Sequence, residues 1–67
     1  MAIYYVNNNA QPTGEHEVHC TGCRHMPASN RTNLGDHQTC QSAVSAAKKH
    51  FANVDGCYHC AGPCHTR

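Results

Sequence analysis

Val18-His19-Cys20-Thr21-Gly22-Cys23 and Gly56-Cys57-Tyr58-His59-Cys60 are the two stretches that decide how this chain folds. Each contains a Cys-x2-Cys pair, and 33 residues separate Cys23 from Cys57. A short-spaced pair acts as a chelating clip. Two such clips, set far apart in the chain, bring four donors to one tetrahedral ion when the intervening segment folds back. This spacing predicts one zinc-binding domain over residues 1–67, with Zn²⁺ as its staple.

The remaining composition gives the staple a reason. Among 67 residues there are one Phe, no Trp, one Leu, one Ile and four Val. A chain of this size buries only about 60% of the surface it exposes when unfolded, so burial alone leaves it marginal. Structural zinc supplies an apparent binding free energy of about 10–16 kcal/mol coupled to folding. That exceeds what so thin a core leaves over after chain entropy.

Charge excludes some classes of function. Five Lys and Arg stand against four acids, for a formal net charge of +1 with the seven His neutral. There is no polybasic run, so non-specific nucleic-acid binding is expected to be weak. No apolar stretch approaches membrane-spanning length, and no positive region followed by an apolar segment opens the chain. The expectation is a cytoplasmic protein that does not engage a membrane. In a reducing compartment, paired Cys and His read as metal ligands before disulfides.

The pattern along the chain is that of a small α+β domain. Ile3-Tyr4-Tyr5-Val6 is a β-prone run ended by Asn7-Asn8-Asn9 and the Pro12-Thr13-Gly14 turn signal. Glu15–Cys20 follows as its hairpin partner, then a loop over Thr21–Asn33, and Asn33-Leu34-Gly35 leaves room for a third short strand. Thr39 is suited to cap a helix over Cys40–Ala52, in which Ala43, Val44, Ala47 and Phe51 share one face. Lys48, Lys49 and His50 fall in its last turns, where they complement the helix dipole, and Asn53, Asp55 and Gly56 stop it. The tail from Cys57 to Arg67 is too short for regular structure.

Cys57 and Cys60 are the secure half of the metal site, with Gly56 loosening the backbone ahead of them. The other half has several candidates, because His16, His19, Cys20, Cys23 and His25 crowd together. If Val18 faces the core, Cys20 shares its face and His19 takes the other, so the two do not easily bind one ion. Cys23 serves with either, as Cys20-x2-Cys23 or as His19-x3-Cys23. The residues themselves leave that choice open.

Taken in order, the first stretch, Asn33-Leu34-Gly35, the Ala-rich helix and Gly56–Cys60 resemble a known module. It is the metal-binding domain of the Ada DNA-repair methyltransferase, with the smaller His-x3-Cys…Cys-x2-Cys zinc modules related to it. The resemblance covers nearly the whole chain through short motifs. It implies His19, Cys23, Cys57 and Cys60 as the zinc ligands. In the Ada domain the first of these positions is a cysteine whose thiolate takes a methyl group from a DNA phosphotriester. Here it is His19, which cannot do that chemistry, and Cys20 stands one residue away. The fold and the metal carry over; methyl transfer does not. The Cys64-His65-Thr66 ending is also similar to that of short bacterial proteins, a likeness that implies no function.

Cys40, Cys64 and His65 lie outside the ligand pattern. Cys40 reads first as a small buried residue on the helix face, then as a disulfide partner of Cys64 or part of a second metal site, and last as a reactive thiol at a helix N-terminus. His25, His37, His50 and His59 read as surface residues. Tyr4 and Tyr5 read as strand core before base-stacking groups. Glu15 and Glu17 stand near His19, but nothing specific points to metal-assisted hydrolysis. The expected function is a structural-zinc binding or scaffold module, monomeric, without catalytic activity and with a protein partner. The alternatives are a nucleic-acid-contacting module of the Ada kind and a thiol redox or metal-handling protein.

Overall fold

The Ile3–Val6 run becomes the centre of a sheet in the computed structural model, which describes residues 2–66. It lies within β1 (Ala2–Asn7), which pairs antiparallel with β2 (His16–Cys20) on one side and β3 (Arg31–His37) on the other. Val6 stands opposite Val18 and Tyr4 opposite Cys20, which sets the register of the hairpin. The hairpin turn is closed by Gly14 N–H to Gln11 O at 2.7 Å, with Gly14 at φ +100°. Glu15, expected within the second strand, is buried just ahead of it and accepts from Thr13 Oγ1.

The third strand is longer than the three residues expected, because pairing with β1 begins at Arg31, inside the stretch read as loop. The register shifts between Tyr4 and Tyr5, where β3 runs through Gly35 at φ +88°. The helix α1 (Cys40–Ala47) starts where expected, with Thr39 Oγ1 accepting from Ser42 N–H at 3.3 Å. It ends earlier than the residue pattern suggests. Lys49 and His50 donate to the carbonyls three residues back, which tightens the chain into a turn and places Lys48, Lys49 and His50 past the last helical residue. Phe51 leaves the helix and stacks on His16 instead, ring centroids 3.7 Å apart.

After that turn comes a strand the sequence did not announce. β4 (Val54–Gly56) pairs parallel with β2, setting His16 against Val54 and Val18 against Gly56. Residues read as helix-stopping therefore complete a mixed sheet of order β3-β1-β2-β4. The tail also carries a 3-10 turn over Gly62–Cys64. The fold class is α+β, as expected: the described residues form four strands and one α-helix. Its core joins Tyr4, Val6 and Val18 from the sheet with Cys40, Ala43 and Ala47 from α1 and Ala61 from the tail. No helix among the described residues is long and apolar enough to cross a membrane.

Candidate metal centre

Strand alternation delivers the first donor. With Val18 turned to the core, His19 points to the opposite face, and its side chain is fully buried there. The chain then turns through Thr21 and Gly22, whose φ of +93° is open to glycine at little cost. Cys23 N–H donates to Cys20 O at 3.2 Å, and the turn brings the Cys23 thiol back beside His19. On the other half, Cys57 N–H extends the β2–β4 ladder by bonding Val18 O at 2.9 Å. Ala61 N–H then bonds Cys57 O at 2.9 Å, closing the turn that carries Cys60.

These four residues, and no other group of three or more among the described residues, bring candidate ligand atoms together. The donors of His19, Cys23, Cys57 and Cys60 all lie within 4.8 Å of one another. A tetrahedral ion with metal–sulfur bonds of about 2.3 Å sets its sulfurs about 3.8 Å apart. Here Cys23 Sγ and Cys57 Sγ are 3.9 Å apart, and Cys60 Sγ and His19 Nδ1 are 3.9 Å apart. The cluster is positioned to hold a metal ion.

Its surroundings fit an ion too. His19 faces the thiols with Nδ1 and turns Nε2 toward Glu17 Oε1 at 3.4 Å; that buried nitrogen has no hydrogen-bond partner. A carboxylate on the far side of a ligating imidazole fixes its tautomer and raises its basicity. Burial, helped by nearby His25, pulls the His19 pKa down and keeps the ring neutral, the form that binds a metal. Burial pushes the Cys60 thiol well above the usual range, with Cys23 and Cys57 adding to the rise and Cys20 N–H opposing it. A buried thiol that resists ionisation lacks a countercharge, and a divalent cation would supply one. Cys20 N–H donates to Cys60 Sγ at 3.3 Å, a contact that favours the thiolate form a metal needs.

The cluster includes His19 and leaves Cys20 out. Cys20 stays on the Val18 face, packed against the core, with its thiol 3.8 Å from Cys60 O and outside the cluster. His59 is exposed and stacks on His25 with centroids 3.9 Å apart. Both rings, with Arg24 and Cys20, line a cavity of about 540 Å³ next to the cluster. His16 and His37 are engaged elsewhere, through Asn7 O and through Leu34 O with Ser42 Oγ.

Two features went unread in the sequence. Glu17 is more than a nearby acid: it faces the imidazole two residues along the same strand face. Alternation from His19 was the signal. Gly56 matters for space, not for backbone freedom: a Cβ there would stand 2.7 Å from Cys64 Cβ and 2.9 Å from Ala61 O. That close approach sets Cys64 against Cys40, and the two form a disulfide with Cα atoms 6.2 Å apart. Cys40 is thus both buried and bonded, while the other four cysteines are free thiols.

No protein-family model, curated protein or solved structure matches this chain.

Proposed function

We propose that this chain is a small zinc-binding module of the Ada-like kind, in which Zn²⁺ held by His19, Cys23, Cys57 and Cys60 is structural. The observation that carries the reading is the convergence of four donors within 4.8 Å from the two ends of one thin fold. A one-His, three-Cys set suits zinc, and its four donors leave no position for a reactive water, so the module binds or scaffolds without catalysing. Its partner on this reading is another protein, met by a monomer in the cytoplasm. The test is native mass spectrometry before and after chelation, with free thiols counted and folding followed by circular dichroism. One retained zinc whose removal unfolds the chain is the expected result. A metal-free chain that stays fully folded sinks the reading.

One observation favours a second reading, contact with nucleic acid. The cavity beside the cluster carries Arg24 with the stacked His25 and His59, and Tyr58 is exposed at its edge, in a T-shaped contact with His59. A cation for a phosphate and flat rings for bases is the equipment of a single-strand site. Fluorescence anisotropy with a labelled single-stranded oligonucleotide decides it. Binding that falls with salt and is lost in Arg24→Ala supports this reading, and no binding at low salt removes it. His19 at the position of the methyl-accepting cysteine argues against methyl transfer on either reading.

A further inference from the structure

We propose that the Cys40–Cys64 disulfide is a redox-operated latch on the metal centre: closed, it slows metal release, and opened by a thiol reductant, it lets the metal leave. The proposal rests on the metal-binding reading above.

The latch follows from where the ligands fall along the chain. The bond joins residues 24 positions apart, and Cys57 and Cys60 both lie inside the ring it closes. His19 and Cys23 lie outside it. The ring therefore ties half of the donor set to the N-terminus of α1, whose Ala43 and Ala47 are buried in the core. The other half is held independently by β2. Metal and disulfide constrain the same short segment from opposite ends.

The link from disulfide to ligand is also short and stiff. Cys64 N–H bonds Ala61 O at 2.9 Å and His65 N–H bonds Gly62 O at 3.0 Å, so the residues after Cys60 form one continuous turn. Cys64 packs against Gly56, immediately before Cys57. With the disulfide open, the turn is left to non-covalent ties: Ala61 in the core, Cys64 against Gly56, and polar contacts to β4. The polar contacts are His65 Nδ1 at 3.0 Å from Gly56 O and 3.4 Å from Asp55 Oδ2, and the Thr66 N–H and Oγ1 bonds to buried Asp55.

Access is available on the same side. A second cavity, about 390 Å³, is lined by Tyr4, Cys40, Cys60, Ala61 and Pro63 among others, so one cleft borders a disulfide cysteine and a cysteine of the cluster. The reductant is a small thiol, RSH. One thiolate attacks the bond, forming a mixed disulfide and freeing one cysteine as its thiol. A second thiolate then displaces the other cysteine and leaves as RSSR. Two electrons pass from the reductant to the protein, and the protons of the two RSH end on Cys40 and Cys64.

The experiment times the transfer of zinc from the loaded protein to a chromophoric chelator. It compares the disulfide form, the same protein equilibrated in excess reduced glutathione, and the double variant Cys40→Ser/Cys64→Ser with and without glutathione. The expected result is release about tenfold slower from the disulfide form than from the other three, which agree with one another. Equal rates overturn the latch while leaving the zinc site standing, as does a thiol count showing that Cys40 and Cys64 do not pair in air. Absence of bound zinc in every form overturns both the latch and the zinc reading. If the double variant does not fold, the two redox states of the unaltered chain decide the question alone.

Discussion

The two halves of the His–Cys cluster are built by different means. His19 and Cys23 come from a strand end and an exposed turn, so one donor is rigid and its companion is half-exposed. Cys57 is buried, continues a sheet ladder through Val18 O, and is followed by a turn bonded back to its own carbonyl. The first half is positioned by strand alternation, the second by tertiary and covalent closure. A donor set split this way assembles only when distant parts of the chain are already in register. That is how a metal couples to the folding of a chain with a small core.

The largest test of this contrast is substitution of one thiol in each half. Cys57→Ser places a weak ligand in a buried slot and is expected to forfeit several of the about 10–16 kcal/mol that zinc couples to folding, leaving the chain unfolded. Cys23→Ser, where solvent can reach, is expected to keep the fold at raised zinc. Circular dichroism during a zinc titration compares them; equal loss would remove the asymmetry. Gly56→Ala comes next. Its Cβ would strike Cys64 and Ala61 O, so a loss of about 1–3 kcal/mol is expected in chemical denaturation, with the Cys40–Cys64 bond forming less completely. Glu17→Gln acts on the first half alone. Weakening the carboxylate behind His19 is expected to lower zinc affinity about 10–100-fold without changing the stoichiometry, as chelator competition would show. Cys20→Ser should change least. Because that thiol lies outside the cluster, zinc stoichiometry should stay the same, and a lost zinc would mean that Cys20, not His19, is the ligand.

Much of this arrangement was legible in the residues, for local reasons. A β-prone run, a turn signal and a strand with Val18 inward announce the hairpin, and Thr39 announces the start of α1. Alternation separated His19 from Cys20 but could not choose between them; the resemblance did, and the cluster contains His19. What stayed hidden is non-local. β4 is three residues long, too short to show alternation, and its pairing partner lies 38 positions earlier at His16–Val54. Its residues, with Asp55 and Gly56, carry the composition of a turn. The helix end was misplaced for a related reason: Phe51 keeps helical spacing but finds a better surface on His16. The disulfide could be suspected from two leftover cysteines, yet only the fit of Cys64 over Gly56 brings it to Cys40.

The kink where β3 passes Gly35 bears on how copies of this chain behave toward one another. β3 is the longer outer strand of the sheet, and its outer backbone groups could in principle recruit another extended chain. The register shift between Tyr4 and Tyr5, with Gly35 at φ +88°, interrupts that row of donors and acceptors near its middle. Arg31, laid over the Tyr5 ring, and exposed Asp36 add charge at either end. The opposite edge, β4, is too short to offer much. A glycine that serves local strand geometry thus also makes the sheet a poor template for growth, protecting a thinly cored protein from aggregation along that edge.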